Sequence, residues 1–373
     1  MAAESHALLG ASSAHRWLNC PPSARICESI ADKASEFAEE GTRAHLLCEH
    51  KLKGMLGLKA DPLPEGVEFD DEMQECAQAY AEYCSSLVAD AGKGAVPAVE
   101  VRVDYSNYVP EGYGTADFVL VGDGFIHVAD FKYGRGVEVS AKMNPQGLLY
   151  LLGAINAYGD LFEIDTAIFT VFQPRLGNVS EFAISRKDLE WWAETVVKPA
   201  AELAWKGEGA FRSGSHCRWC RIKDTCRERA ETNLAISRFD FRDPATLSDA
   251  EIAEVLGKAE EVAAWANDVK DYVLSEALKG KRFPGWKVVE GRSIRKISDE
   301  AKAAEAVLAV GKDPYERKLL SITDLTKLLG AKRFNELLGG LVYKPPGKPT
   351  LAPENDKRPE YAATKAAEDF NDN

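Results

Sequence analysis

Long apolar runs are missing from the sequence. None approaches the roughly 20 residues that a helix needs to cross a bilayer, so no membrane-spanning helix is expected. The opening residues, Met1-Ala2-Ala3-Glu4-Ser5-His6, hold no basic segment followed by an apolar one, so no secretion signal is expected and cytoplasmic residence follows. P-loop, helicase motif and internal repeat are all absent, which excludes a motor or a solenoid within the chain. Positive charge is also in short supply. Lys and Arg total 46 against 59 Asp and Glu, a net charge of −13 that disfavours nucleic acid as a partner of the surface taken as a whole. What is present is a globular composition, 45% hydrophobic and 28% charged over 373 residues, enough for one large domain or two ordinary ones.

Charge is unevenly spread. Residues 206 to 229 carry Lys206, Arg212, Arg218, Arg221, Lys223, Arg227 and Arg229 against three acids, and residues 281 to 296 carry six basic residues against Glu290. Such patches are either solvated faces or the lining of a groove that tracks phosphates. The eight cysteines, in a cytoplasmic chain, suggest metal or core roles. Cys27, Cys48, Cys76 and Cys84 have no neighbour at ligand spacing and read as small buried hydrophobes.

The stretch Gly114 to Lys132 organises the rest. It reads as two strands joined at Asp123-Gly124, residues that tolerate the positive φ of a two-residue hairpin loop. With that loop Gly122 faces Phe125, and counting back sets Asp117 opposite Asp130. Lys132 lies two residues on and points to the same face, whose other members are Val119, Val121, Ile126 and Val128. Two carboxylates and an ammonium on an apolar face are costly unless they are paired or hold a metal. Asn144-Pro145 then opens a helix in which Gln146 and Tyr150, four apart, share one side. Upstream, residues 34 to 56 form a helix carrying His45 and Glu49 on one face, and residues 70 to 91 form another. Residues 98 to 105 alternate as a strand, with Val99, Val101 and Val103 on one face and Glu100, Arg102 and Asp104 on the other, so that Glu100 is expected to face solvent, or to reach the acidic site if its strand pairs beside the hairpin. Thr166 to Gln173 is a further strand, and Arg135, in the loop after Lys132, could contact a phosphate.

Cys217-x-x-Cys220 followed by Cys226 places three thiolates in a compact loop, the chemistry of zinc or iron–sulfur ligation. A fourth partner is needed, and Cys20 and His216 are the candidates. Beyond residue 235 a helix runs from Ser248 to Lys279. A short strand at Trp286 to Glu290, helices at 298 to 310 and 322 to 338, and an extended or disordered proline-rich tail from Lys344 complete the chain.

The order G-x-x-D, hairpin, D-x-K, Q-x-x-x-Y, together with Gly41-Thr42-x-x-His45, resembles the RecB-like branch of the PD-(D/E)XK nucleases over roughly residues 10 to 230. The N-terminal Cys20-Pro21 with the later cysteine trio resembles the members of that branch that hold a 4Fe-4S cluster. Gly285 to Arg292 with Gly347-Lys348-Pro349-Thr350-Leu351 resembles a phage and prophage family of such proteins. The resemblance implies an α/β fold with a mixed central sheet flanked by helices in a nuclease domain of residues 1–235, a mainly helical accessory region at 236–343 and a tail at 344–373. It implies a Mg²⁺- or Mn²⁺-dependent deoxyribonuclease, an exonuclease in phage recombination or replication in a bacterial host. Asp117, Asp130, Lys132, Gln146 and Tyr150 would be its catalytic residues. His45, Asp117, Asp130 and the Phe131 carbonyl would hold the metal, and Cys20, Cys217, Cys220 and Cys226 the cluster, with zinc as the alternative there. DNA would be the substrate and a phage single-strand annealing or binding protein a partner. The competing expectation is a nucleic-acid-binding protein that kept the fold without catalysis.

Overall fold

The computed structural model describes residues 7–30, 36–235, 248–289, 300–309, 314–315 and 319–343. Two compact units, Met1–Val289 and Glu290–Asn373, make up the chain. The boundary expected at residue 235 falls inside the first unit.

The first unit is built on a five-stranded sheet of strands β1 (Val96–Asp104), β2 (Tyr113–Gly122), β3 (Gly124–Phe131), β4 (Ile164–Gln173) and β5 (Asn178–Ser185), in that spatial order. β3 and β4 run parallel, and the other neighbours are antiparallel. Helices α1 (Ala14–Asn19), α2 (Ser23–Glu28), α3 (Glu36–Met55), α4 (Asp71–Ala91), α5 (Pro145–Tyr158), α6 (Arg186–Trp192), α7 (Lys198–Lys206), α8 (Arg227–Leu234) and α9 (Asp249–Leu278) surround it. This is the mixed α/β architecture that the sequence implied. A parallel pair needs a crossover, and α5 provides it between β3 and β4. No helix among the described residues is long and apolar enough to cross a membrane.

The hairpin forms as its residues dictate. Gly122 pairs with Phe125, and Gly124 takes φ 89°, a conformation that glycine adopts without steric cost. The register continues to Phe118 opposite Ala129, one step short of Asp117 and Asp130. On one side of the sheet Val119, Val121, Ile126 and Val128 pack with α5 residues Leu148 and Leu149 and with Trp17. On the other, Phe118, Leu120, Ala129 and Phe131 pack with Leu47 and Cys48 of α3 and Tyr80 of α4.

Strand β1 departs from the expected alternation. Val99 packs on the α3/α4 side, whereas Val101 and Val103 pack on the α5 side. Phe118 and Ala116 of β2 make the same exchange of sides. The switch falls at Glu100, whose φ of 54° lies in the left-handed region that a glutamate rarely occupies. A single residue in that conformation shifts the pleat by one, as a bulge does.

Under α4 the buried His127 accepts or donates through Nε2 to Thr170 Oγ1 at 2.8 Å, and the same hydroxyl receives Tyr83 at 3.2 Å. The Glu181 carboxylate lies 3.9 Å from the ring and is half exposed. Burial pushes the imidazole pKa down to about 4. The unfolded chain therefore binds a proton, near pH 6.5, that the folded chain refuses until about pH 4. Stability contributed here is complete above pH 6.5 and is lost as pH falls towards 4, an effect of about 3 kcal/mol. Thermal melts between pH 7 and 4.5 are expected to show this slope in the wild type and a flatter one in His127→Gln.

Later elements differ from expectation in two places. Residues 286–289 form no strand among the described residues. The helix expected over 322–338 is two helices, α11 (Ile322–Leu329) and α12 (Ala331–Leu338), parted at Gly330 with φ 75°. They follow α10 (Glu300–Ala309) in the second unit. The tail from 344 and residues 290–299 lie outside the described residues. α9 begins as expected, with Ser248 and Glu251 forming a reciprocal cap. Its Asp268 pairs with Lys223 and Arg229, both at 2.7 Å, tying the helix to the cysteine-rich loop and α8.

Candidate functional site

The switch in β1 and β2 builds the site. Glu100 stands where β1 passes Asp117 of β2, in the gap between the paired residues Val99–Phe118 and Val101–Ala116. His45 comes over from α3, its ring against Phe131, and its Nδ1 is 3.3 Å from Asp117 Oδ1. Ligand atoms of His45, Glu100 and Asp117 all lie within 4.8 Å of one another. The other oxygen of Asp117 accepts the backbone N–H of Phe131 at 2.7 Å. What the structure places against Asp117 at Phe131 is thus the amide N–H, on the residue whose carbonyl was the expected ligand.

Beside this trio is a second group. Lys132 Nζ lies 2.8 Å from Asp130 Oδ2 and donates to Gln146 Oε1 at 3.2 Å. Gln146 Nε2 donates to Asp130 Oδ1 at 3.1 Å and to the Tyr150 hydroxyl at 3.3 Å. The contact of Asp130 Oδ2 with the ammonium is a charge pair without hydrogen-bond alignment, so that this buried oxygen makes no hydrogen bond among the described residues. The helix that carries Gln146 and Tyr150 is fixed by its cap: Asn144 Oδ1 accepts the Gln146 N–H at 3.0 Å and Pro145 opens the first turn. Tyr150 in turn demands Gly114, where a Cβ would lie 2.7 Å from the ring. The glycine of G-x-x-D and the tyrosine of Q-x-x-x-Y are therefore one packing contact.

Five of the expected residues, Asp117, Asp130, Lys132, Gln146 and Tyr150, and the expected ligand His45, thus meet at one end of the sheet. Glu100, expected to face solvent, joins them; Glu49 does not, being paired with Lys53 at 2.5 Å. Arg135 is paired with Glu72, which also holds Arg175 at 3.2 Å. Asp130 is 2% exposed while His45 and Lys132 are 36% and 29% exposed, so the acids form the floor and the two bases the rim.

The electrostatics match a site short of positive charge. Burial pushes the Glu100 carboxyl up to about 8, and the Asp117 charge adds to it. Burial also raises Asp130, against the pull of Lys132. Asp117 goes the other way: burial disfavours its charge, but His45 and Lys132 together hold its pKa below the usual range. The His45 imidazole is raised because the Asp117 charge overcomes the cost of burial. A cation placed among Glu100, Asp117 and His45 would relieve the crowded carboxylates. Two carboxylate oxygens and an imidazole form a hard, mixed donor set suited to Mn²⁺ and to Mg²⁺ with retained waters.

A second cluster lies at the N-terminal helices. Cys20, Cys217, Cys220 and Cys226 line one recess of about 310 Å³, open space included, together with Arg16 and Phe211. All eight cysteines are free thiols. Apart from the His45 trio, no three His, Cys, Asp or Glu ligand atoms among the described residues converge within 4.8 Å, so these sulfurs share one recess without being drawn together as the ~2.3 Å bonds of a tetrahedral zinc would draw them. Cys27, read from the sequence as a small buried hydrophobe, is buried at 3% exposure and has a neighbour that the sequence did not show. Its Sγ lies 3.9 Å from that of Cys220. Of the first basic patch, Arg221, Lys223 and Arg229 are engaged in contacts within the chain.

The profile of one protein family matches residues 6–359. The chain belongs to that family, described as "Protein of unknown function (DUF2800)". The match takes in both units, so the sheet, the acidic site and the later helices are all parts of the DUF2800 chain. Among solved structures, one titled "Crystal structure of SSO0001" is 13% identical, with 58% of this chain and 96% of that chain covered and a TM-score of 0.22.

Proposed function

We propose that this DUF2800 protein is a metal-dependent deoxyribonuclease of the RecB-like PD-(D/E)XK kind, acting on DNA ends. One observation carries the reading: three carboxylates, Glu100, Asp117 and Asp130, stand on three adjacent strands, with a histidine against Asp117 and a lysine against Asp130. Glu100, Asp117 and His45 would hold a divalent cation, with Asp130 beside them. A cation bound there supplies charge neutralisation for a phosphodiester and makes water acidic enough to attack it. The chain's own groups do the rest. Asp130 and Gln146 fix Lys132 on the rim, where its ammonium can stabilise charge that develops on the phosphate. Tyr150 holds Gln146, and Gly114 leaves room for Tyr150.

The recess of Cys20, Cys217, Cys220 and Cys226 would hold a 4Fe-4S cluster. Four thiolates lining one recess are the donor set such a cluster takes, and a centre joining residue 20 to residue 226 would staple the two ends of the sheet unit and stabilise it. Phage recombination or replication, in a bacterial cytoplasm and alongside a single-strand annealing protein, is the setting that the sequence resemblance supports.

End-labelled linear single- and double-stranded DNA is the test. The purified chain is expected to release nucleotides with Mg²⁺ or Mn²⁺ and none with EDTA. A chain that binds DNA and metal yet degrades neither substrate would be a binding protein and would end the nuclease reading.

A further inference from the structure

Four of the cysteines line the recess, but the shortest sulfur–sulfur approach near it involves a fifth. Cys27 is 3% exposed on α2, and its Sγ lies 3.9 Å from Cys220 Sγ, 193 positions later in the chain. The approach is held by contacts on both sides of the pair. Arg221, next to Cys220, donates through Nη1 to the carbonyls of Cys27 at 2.6 Å and Ile30 at 2.5 Å. Arg25 donates from α2 to the Trp205 carbonyl at 2.6 Å, and its guanidinium lies over the Trp205 ring at 4.7 Å. Cys220 itself is anchored by its N–H to the Cys217 carbonyl at 3.0 Å. Two free thiols are thus clamped in van der Waals contact by backbone-directed arginines, and closing the remaining gap to a bond of about 2.05 Å asks only for side-chain rotation and a small approach of α2.

We infer that Cys27 and Cys220 form a reversible disulfide when the cysteine recess carries no metal. The oxidant is a low-molecular-weight disulfide such as oxidised glutathione. Cys220, the more accessible of the two, attacks one sulfur and expels one glutathione thiol; Cys27 then attacks the mixed disulfide at Cys220 and expels the second. One disulfide is reduced and one formed, and the two protein thiol protons leave on the two glutathione molecules. The bond withdraws Cys220 from the recess, leaving Cys20, Cys217 and Cys226. It therefore keeps the metal from returning until the bond is reduced. It also closes a very long loop, which raises the melting temperature by roughly 5–10 °C.

Peptide mapping decides the matter. The full chain, treated with chelator and reductant, then desalted and exposed to oxidised glutathione, is alkylated, digested without reduction and analysed by mass spectrometry. The expected product is one cross-linked peptide pair containing Cys27 and Cys220, with a rise in Tm that reverses on reduction. Cys27→Ser should leave Cys220 as a glutathione adduct with no rise. A free Cys220 after oxidation, or cross-links confined to Cys20, Cys217 and Cys226, overturns the inference. Iron and zinc are measured on the untreated protein in parallel: a chain without either that still forms the cross-link refutes the metal centre and upholds the disulfide. A metal-loaded chain without the cross-link after stripping and oxidation does the reverse.

Discussion

Asp117→Asn is expected to lower the proposed metal-dependent DNA hydrolysis by at least about 10³-fold, the scale on which a centre that supplies both nucleophile activation and charge neutralisation acts. The substitution keeps the shape of the side chain and one oxygen to accept the Phe131 N–H. It removes the charge that faces His45 at 3.3 Å and the strongest oxygen donor of the trio. Isothermal titration with Mn²⁺ should therefore show a loss of affinity alongside the loss of rate, while the melting temperature moves little. Glu100→Gln is the graded companion, expected to weaken Mn²⁺ by roughly 10-fold or more because a donor is lost from an otherwise intact set. Unchanged Mn²⁺ affinity in both variants would remove this trio as the metal site, whatever the effect on hydrolysis.

That Glu100 belongs to the trio could not be read from the alternation of valines. Val99, Val101 and Val103 fall on one parity, and a uniform strand would set them on one face. The left-handed backbone at Glu100 breaks the parity, and nothing in a glutamate codon position announces it, because local propensity argues against that conformation. Asp117, Asp130 and Lys132 were legible for the opposite reason. For Asp130 and Lys132 the placement follows from a two-residue turn and a period of two, local rules that the structure obeys through Phe118–Ala129, whereas Asp117 sits where β2 changes sides and reaches β3 through its bond from the Phe131 N–H. Gln146 and Tyr150 were legible from helical spacing after Asn144-Pro145. The contact of Tyr150 with Gly114 was not, since it depends on how close α5 lies to β2. The approach of the buried Cys27 to Cys220 was not legible because spacing along the chain says nothing about a contact made across 193 positions, and the paired state of Arg135 depended on Glu72 of a distant helix.

Lys132→Met tests the second group, and here the loss falls on stability as well as on rate. Asp130 is 2% exposed, and the Lys132 ammonium lies 2.8 Å from it. Taking that cation away leaves a carboxylate in the floor of the site with Gln146 as its remaining hydrogen-bond donor at Oδ1. Removing one partner of a buried pair costs more than removing both, because the survivor keeps its desolvation penalty. Lys132→Met is therefore expected to destabilise the chain by about 2–4 kcal/mol in urea melts at pH 7. Asp130→Asn in the same background should recover much of that, a coupling of about 1 kcal/mol or more in the double-mutant cycle. Hydrolysis should not recover with it. In the proposed reaction the ammonium on the rim meets the phosphate, so the double variant is expected to stay at least about 10²-fold below wild type while folding nearly as well. Stability and activity that return together would make Lys132 a structural counter-ion and move the stabilisation of the phosphate to another group.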